Sequence, residues 1–431
     1  MRHERPVLMR RRSIFTRRRF QFAGALVIAA ILPFALRTTI LPGIPGEAAS
    51  VNSLLGNLTA ITLAFWMRLS IETYPGIRST YVIFPAALAA HGMVIAAYLL
   101  TRLPYDRLGI AMGFTFNVLW SYFIWFYAER KLQPRIGIVP FGAIAGLGGI
   151  DNVEWLTLAR PNLDDTAGCH ALVADFAADL PDEWEAFLAD AALAGKIVYQ
   201  VNQLSESLTG RVELKKLSEN SFGSLLPARG WFHLKAVADF LLAVAMLPLA
   251  LPVMALAAVA IRLESKGPVL FRQKRVGHAG RSITVYKFRT MRTLDDDDSE
   301  DHHAKRKKAM TSKDDDRITP VGRFLRQTRI DELPQIFNIL RWEMSWIGPR
   351  PEAEILSVWY TGELPFYRYR HVVKPGISGW AQVNQGHVAE VEEVHRKLQY
   401  DFYYIKYFSP WLDLLILLRT VKVMLTGWGA R

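Results

Sequence analysis

Apolar residues in this chain gather into a few long runs, separated by segments of ordinary globular texture. Four runs, roughly residues 20–40, 51–71, 80–101 and 108–128, are long enough to cross about 30 Å of hydrocarbon as helices. The second is the weakest, because Arg68 and Glu72 lie at its end. Pro33 and Pro85 fall inside other runs, where packed membrane helices tolerate proline. Basic residues flank the runs unevenly. Eight arginines (Arg2, Arg5, Arg10, Arg11, Arg12, Arg17, Arg18, Arg19) precede the first, Arg68 and Arg78 fall between the second and third, and Arg130, Lys131 and Arg135 follow the fourth. These clusters belong on the cytoplasmic side, so an even number of spans returns the chain there. No small-residue cleavage site precedes Arg37 and more spans follow, so the first run is expected to be a retained anchor.

The texture changes at about residue 131. An apolar run at 136–141 enters a glycine-rich turn (Gly142, Gly146, Gly148, Gly149), followed by a helix-like stretch at 181–194 and a strand-like 197–201. This predicts a small α/β unit. Its glycines miss the spacing of a dinucleotide fingerprint, which favours a tight strand-to-helix turn over a phosphate cradle and makes the unit a degenerate nucleotide-fold domain. A fifth apolar run at about 235–262 carries Asp239 near its start and Pro248 and Pro252 near its middle. Two prolines four residues apart remove backbone donors and favour a sharp break, so a re-entrant helix is expected, with an ordinary fifth span as the other reading. A fifth span would place everything after residue 262 outside the cytoplasm.

Composition sharpens this picture in three places. The 431 residues are 51% hydrophobic yet 21% charged, with a net charge of +12. The basic residues sit beside apolar runs and no nucleic-acid-binding signature is present, so anionic lipid or phosphate is the expected partner and nucleic acid is not. Cys169 alone permits neither an internal disulfide nor a multi-cysteine metal site.

From residue 265 onward the chain is dense with unusual strings: Ser265-Lys-Gly-Pro-Val-Leu-Phe-Arg-Gln273, Tyr286-Lys-Phe-Arg-Thr-Met291, Arg329-Ile-Asp-Glu-Leu-Pro-Gln335, Ile347-Gly-Pro-Arg-Pro351 and Lys374-Pro-Gly-Ile-Ser-Gly-Trp-Ala-Gln-Val383. In this order they resemble the catalytic domain of the bacterial sugar transferases, the polyprenyl-phosphate hexose-1-phosphate transferases, over about 235–431. The whole chain resembles the larger members. The organisation implied is a basic N-terminus (1–19), four transmembrane helices (20–130), a degenerate Rossmann-like cytoplasmic domain (131–230) and a mainly α monotopic catalytic domain with a re-entrant helix (231–431). The activity implied is transfer of hexose-1-phosphate from a UDP-hexose, glucose or galactose before N-acetylated sugars, to undecaprenyl phosphate at the bacterial inner membrane, with release of UMP. Such a reaction would begin exopolysaccharide, capsule or O-antigen synthesis.

By the same resemblance, Asp331 attacks the sugar-linked phosphate to form a covalent phosphosugar intermediate, and Glu332 is its partner as metal ligand or proton manager. Pro334 suits the first turn of a helix, which would place the dyad at a helix N-terminus. On local sequence alone, Asp-Glu-x-Pro is equally a capping sequence. A carboxylate approaching a diphosphate needs cations. Mg2+ held by Asp331 and Glu332 is implied, with Lys287, Arg289, Arg329, Arg350 and, in the last motif, Gln382 as phosphate or substrate contacts. Asp413 matches an acidic position of the family, but its place in the first turn of a C-terminal helix equally suits a cap.

One departure stands out: many relatives have Asn-Gly-Arg where this chain reads Asn384-Gln385-Gly386-His387. The run with Asp295, Asp298, His302 and His303 reads as a solvated loop rather than a metal site. Val321, Phe324 and Leu325 beside Arg323, Arg326 and Arg329 predict either a helix in the headgroup layer or a basic helix packed on the core. The bundle and the spare soluble domain are the places for a homodimer contact. Two competing functions remain at this stage: a glycosyltransferase releasing UDP, and a non-catalytic membrane assembly or regulatory protein of polysaccharide export.

Overall fold

The computed structural model describes residues 14–40, 46–71, 80–129, 135–150, 153–213, 227, 229–292, 317–385 and 391–426. The arginines before residue 14, the acidic and histidine run at 295–303, and Gly386 and His387 lie outside them. The chain forms two compact units, Met1–Gly210 and Arg211–Arg431. This boundary lies about 20 residues before the one expected at 230, because Val212 donates its N–H to the Gln399 carbonyl at 3.1 Å and so already belongs to the second unit.

The first unit begins with four long apolar helices: α1 (Arg18–Thr39), α2 (Glu47–Ile71), α3 (Thr80–Thr101) and α4 (Arg107–Ile124). Each is long and apolar enough to cross a membrane. Pro33 follows a π-turn at Val27–Ile31 within α1, a local widening that accommodates the missing N–H. Small buried residues (Ala25, Ala29, Ala30, Ala60, Ala64, Ala90) let the helices approach closely, as apolar solvent supplies no hydrophobic drive between them. Polar contacts set the register. Arg37 on α1 pairs with Asp106 at 2.7 Å, Asp106 also caps α4 by accepting from the Gly109 N–H, and Asn57 on α2 donates to the Gly109 carbonyl at 3.0 Å.

Beyond the bundle lies a four-stranded parallel sheet in the order β2-β1-β3-β4, formed by β1 (Arg135–Ile138), β2 (Glu154–Thr157), β3 (Ala171–Ala174) and β4 (Ile197–Gln200). Helix α5 (Asp182–Leu193) packs Trp184, Phe187 and Leu188 with Leu172 on one side, and α6 (Val201–Thr209) packs Val201 and Leu204 with Val173 on the other. Central strand β3 is buried along its length, as a strand covered on both faces must be. The turn after β1 is closed by the chain itself. Only a 3-10 turn, Ala145–Gly149, follows it, and the Asp175 carboxylate at the end of β3 accepts from the N–H groups of Ala143 (2.9 Å) and Ala177 (3.1 Å). Gly142 has φ +79, and a Cβ there would stand 2.6 Å from Asp175 Oδ2. The chain's own carboxylate thus takes the Ala143 donor of this turn.

The second unit opens with α7 (Arg229–Glu264), a single helix of 36 residues. The expected break is not there: helical backbone runs through both Pro248 and Pro252. Its core-facing stripe, Ala243, Leu247, Ala250, Met254, Ala257 and Ile261, keeps helical spacing across both prolines. Proline here costs the N–H bond to a carbonyl four residues back without forcing the chain out of register. Leu249, Leu256 and Leu263 on the opposite side are 67%, 72% and 83% exposed.

An antiparallel hairpin of β5 (Leu270–Val276) and β6 (Ser282–Phe288) follows, then α8 (Pro320–Thr328), capped by Thr319. Next come a 3-10 segment (Ile330–Gln335), α9 (Ile336–Leu340), the parallel pair β7 (Ser345–Ile347) and β8 (Gly376–Ser378), and helices α10 (Glu354–Glu363), α11 (Trp380–Asn384), α12 (Val391–Lys406) and α13 (Pro410–Thr426). Val285 and Phe288 of β6, Leu325 of α8 and Ile336 and Ile339 of α9 close one core with α7. On α8, Leu325 is buried and Phe324 is 58% exposed, so the helix packs on the core while offering one aromatic outward.

Candidate active site

Asp331 and Glu332 lie in the 3-10 segment that runs on into α9. Arg329, the residue closing α8, takes the left-handed conformation (φ 59), which turns the chain sharply into that segment. Asn338, fully buried on α9, docks it onto β6: its amide donates to the Thr284 carbonyl at 2.7 Å and its oxygen accepts from the Tyr286 N–H at 3.3 Å. Dyad and hairpin therefore share one core.

Lys287 of β6 reaches Glu332 Oε1 at 2.7 Å, and Arg350 reaches the same oxygen at 2.9 Å. Both carboxyls are buried, at 8% exposure for Asp331 and 5% for Glu332. Burial pushes the Glu332 carboxyl up, but Lys287 and Arg350 outweigh it and hold the group well below the usual carboxylate range. Asp331 goes the other way. Burial and the neighbouring Glu332 charge together exceed the pull of Lys287, Arg350 and Arg329, and push it up to about 6. Burial also brings Lys287 down to about 8 against the attraction of Glu332. Asp331 Oδ1 is buried with no hydrogen-bond partner among the described residues. A buried carboxylate oxygen with nothing to accept from, facing three basic residues (Lys287, Arg329, Arg350), is arranged to receive an anion's electrophilic centre or a cation.

Arg350 stands in a tightly held segment. The Ile347-Gly-Pro-Arg-Pro351 and Lys374-Pro-Gly motifs, separate in sequence, are joined as β7 and β8; a Cβ on Gly376 would stand 2.1 Å from the Gly348 nitrogen. Only glycine permits that approach.

Mg2+ fits this donor set. Among the described residues no group of three or more His, Cys, Asp or Glu gathers to cage a metal. Mg2+, however, is commonly held by one or two carboxylates with waters and substrate phosphates completing its octahedron. Asp331 Oδ1 is an open ligand of that kind, whereas Glu332 already shares Oε1 with two cations.

Three expected site residues are placed in other roles. Arg289 donates to the Ser265 carbonyl and hydroxyl, both at 2.8 Å, and to the Lys266 carbonyl at 3.0 Å, pinning the exit of α7. Asp413 accepts from Trp231 at 3.1 Å and Tyr404 at 2.8 Å and pairs with Lys235 at 3.3 Å, pinning the entry of α7. Gln382 donates to the Ile377 carbonyl at 3.0 Å within its own turn, and no contact with the dyad is among its bonds. Arg275, which the motifs did not mark, was missed: its guanidinium is pushed down to about 10 by burial and by Arg350, with Glu352 and Glu332 opposing. The signal was available in the alternation of β5, where Gln273 and Arg275 share the more buried face.

Comparison with known proteins agrees with the motifs. A model of the bacterial sugar transferase family matches residues 231–427. A UDP-N-acetylgalactosamine-undecaprenyl-phosphate N-acetylgalactosaminephosphotransferase of Aeromonas hydrophila is 42% identical over 386 residues, 89% of each chain. A UDP-glucose:undecaprenyl-phosphate glucose-1-phosphate transferase of Xanthomonas campestris pv. campestris is 44% identical over 193 residues, 44% of this chain and 38% of its own. An exopolysaccharide production protein of Rhizobium leguminosarum bv. phaseoli is 37% identical over 198 residues, 45% of this chain and 96% of its own.

Proposed function

Because the chain belongs to the bacterial sugar transferase family, we propose that it transfers a sugar-1-phosphate from a UDP-sugar to undecaprenyl phosphate and releases UMP. The observation that carries this reading is the unpartnered Asp331 oxygen beside the Lys287–Glu332–Arg350 cluster. In the first step Asp331 forms a bond to the sugar-bearing phosphorus while the bond from that phosphorus to the bridging oxygen of UMP breaks, and UMP departs with the electron pair. In the second, an oxygen of the polyprenyl phosphate attacks the same phosphorus and the aspartate leaves. Lys287 and Arg350 hold Glu332 ionised and face the charge that develops on the phosphoryl oxygens. Mg2+ held at Asp331, with the diphosphate itself, would neutralise part of the diphosphate charge.

For the sugar, the relative that matches across both units favours N-acetylgalactosamine over the glucose or galactose that the architecture first suggested. The second unit is placed on the cytoplasmic face of the inner membrane, where UDP-sugars are made. Support comes from α7: at about 1.5 Å per residue its 36 residues are long enough to cross the bilayer, yet both ends bond to one folded body. Lys235 pairs with Asp413 near its start, and Glu264 accepts from the Val321 N–H at 3.0 Å at its end. A helix that lies along that body, with its exposed leucines in lipid, satisfies both without crossing.

The test is UMP release by detergent-solubilised protein from a panel of UDP-sugars with undecaprenyl phosphate and Mg2+, beside Asp331→Ala. One sugar should give UMP, and the variant none. Incubation without acceptor should add one sugar-phosphate to the intact protein by mass, on Asp331. UDP as product, or turnover without such an adduct, would refute the two-step scheme.

A further inference from the structure

Arg350 can act on Glu332 only if the segment carrying it is fixed, and its two flanking prolines supply no backbone N–H to do so. All three carbonyls of Pro349-Arg350-Pro351 are instead held from outside. Pro349 accepts from the Gly376 N–H at 3.0 Å, Arg350 from Arg370 Nη2 at 2.9 Å, and Pro351 from Arg275 Nη1 at 2.5 Å. Arg370 is itself locked: its Nε and Nη2 donate to Asp401 Oδ2 at 3.1 and 2.8 Å, and its Nη1 to the Tyr367 hydroxyl at 2.9 Å. Both side chains of this pair are 2% exposed.

A buried ion pair is weak support for stability, since apolar residues of the same volume commonly serve as well or better. What it supplies is direction. The guanidinium fork sends one N–H to the carbonyl of the very residue whose side chain meets the dyad, while its other donors are fixed by Asp401 and Tyr367. Lysine, with a flexible stem and no planar fork, cannot make the same set.

We infer that Arg370 and Asp401 are positioning residues for the transfer reaction: through the Arg350 carbonyl they hold the Arg350 guanidinium on Glu332, without touching substrate themselves. The inference rests on the catalytic reading of the dyad. It requires Arg370 and Arg350 to act in series. Misplacing a catalytic group by about 1 Å costs about 100-fold, and removing a charge-stabilising donor costs about as much.

A double-mutant cycle on the full-length chain separates this role from a general structural one. UMP release is measured with the UDP-sugar active for the unaltered protein, together with the unfolding temperature of each variant. Arg350→Lys and Arg370→Lys are each expected to lower kcat, by about 100-fold and about 10- to 100-fold, with KM changed less than about threefold. The double variant should stay within about threefold of Arg350→Lys alone. Multiplicative losses, or a KM effect without a kcat effect, would overturn the positioning role while leaving the dyad chemistry intact. Absence of UMP from the unaltered protein with every sugar would instead overturn the functional reading and this inference with it. Should Arg370→Lys fail to fold, Tyr367→Phe, which removes only the bond to Arg370 Nη1, takes its place in the cycle. A few-fold loss of kcat that vanishes in the Arg350→Lys background supports the inference, and one that persists refutes it.

Discussion

Asp331 and Glu332 are adjacent in the chain, yet Glu332 Oε1 accepts from both Lys287 and Arg350 while Asp331 keeps a bare oxygen. The pair titrates as a unit, and the field of the ionised Glu332 is part of what lifts Asp331 to about 6. An attacking carboxylate must be ionised, so kcat/KM should fall as pH drops below about 6, where an ordinary aspartate would still be fully charged. Lys287 lowers the Asp331 value, so removing its charge must raise it. Lys287→Met is therefore predicted to move the acid limb of the kcat/KM profile upward by about one pH unit, in addition to reducing turnover. A limb that stays in place or moves down would show that another group sets it. The dyad, Lys287 and Arg350 were legible because each lies in a motif whose chemistry needs that residue type. Arg289 lies in a motif too, but its work is to hold the Ser265 and Lys266 carbonyls, which no spacing reveals. Arg275, Arg370 and Asp401 gain meaning only from partners 20 to 76 residues away.

Among the elements, α7 shows how a correct pattern can carry a wrong local inference. Its apolar length and its two prolines are both in the sequence, but whether proline breaks a helix depends on what packs against it. Here a continuous stripe from Ala243 to Ile261 holds the helix to the core across both. Topology remains readable by chemistry. With Cys169 replaced by Ala, single cysteines at His233 and Lys266 should both be labelled by a membrane-impermeant maleimide from the cytoplasmic face of oriented vesicles. Labelling of the two from opposite faces would make α7 a fifth span. In the bundle, Asp106 both pairs with Arg37 and caps α4. Asp106→Ala leaves the Arg37 guanidinium without its counter-ion and α4 without its cap, and should lower the unfolding temperature in detergent. An unchanged temperature would mean that solvent reaches the pair. The membrane helices were legible from length and hydropathy, and α5 and β4 from periodicity. Strands β7 and β8, three residues each, are too short for a period-2 pattern to register.

At the scale of the molecule, the membrane-associating helix and the candidate chemistry belong to the same unit. Helix α7 is inseparable from that unit's core, because Ala243, Met254, Ala257 and Ile261 complete a cluster whose other members come from β6, α8 and α9. The first unit is built on cores of its own, in the helix bundle and on both faces of the parallel sheet. At its β1 turn the Ala143 N–H is taken by Asp175. A chain of residues 211–431 alone is therefore predicted to fold, to sediment with membranes through α7, and to release UMP with kcat within about tenfold of the full chain. Sedimentation with loss of UMP release would assign the first unit a part in catalysis, whereas failure to fold would mean that the core around α7 needs the rest of the chain to close.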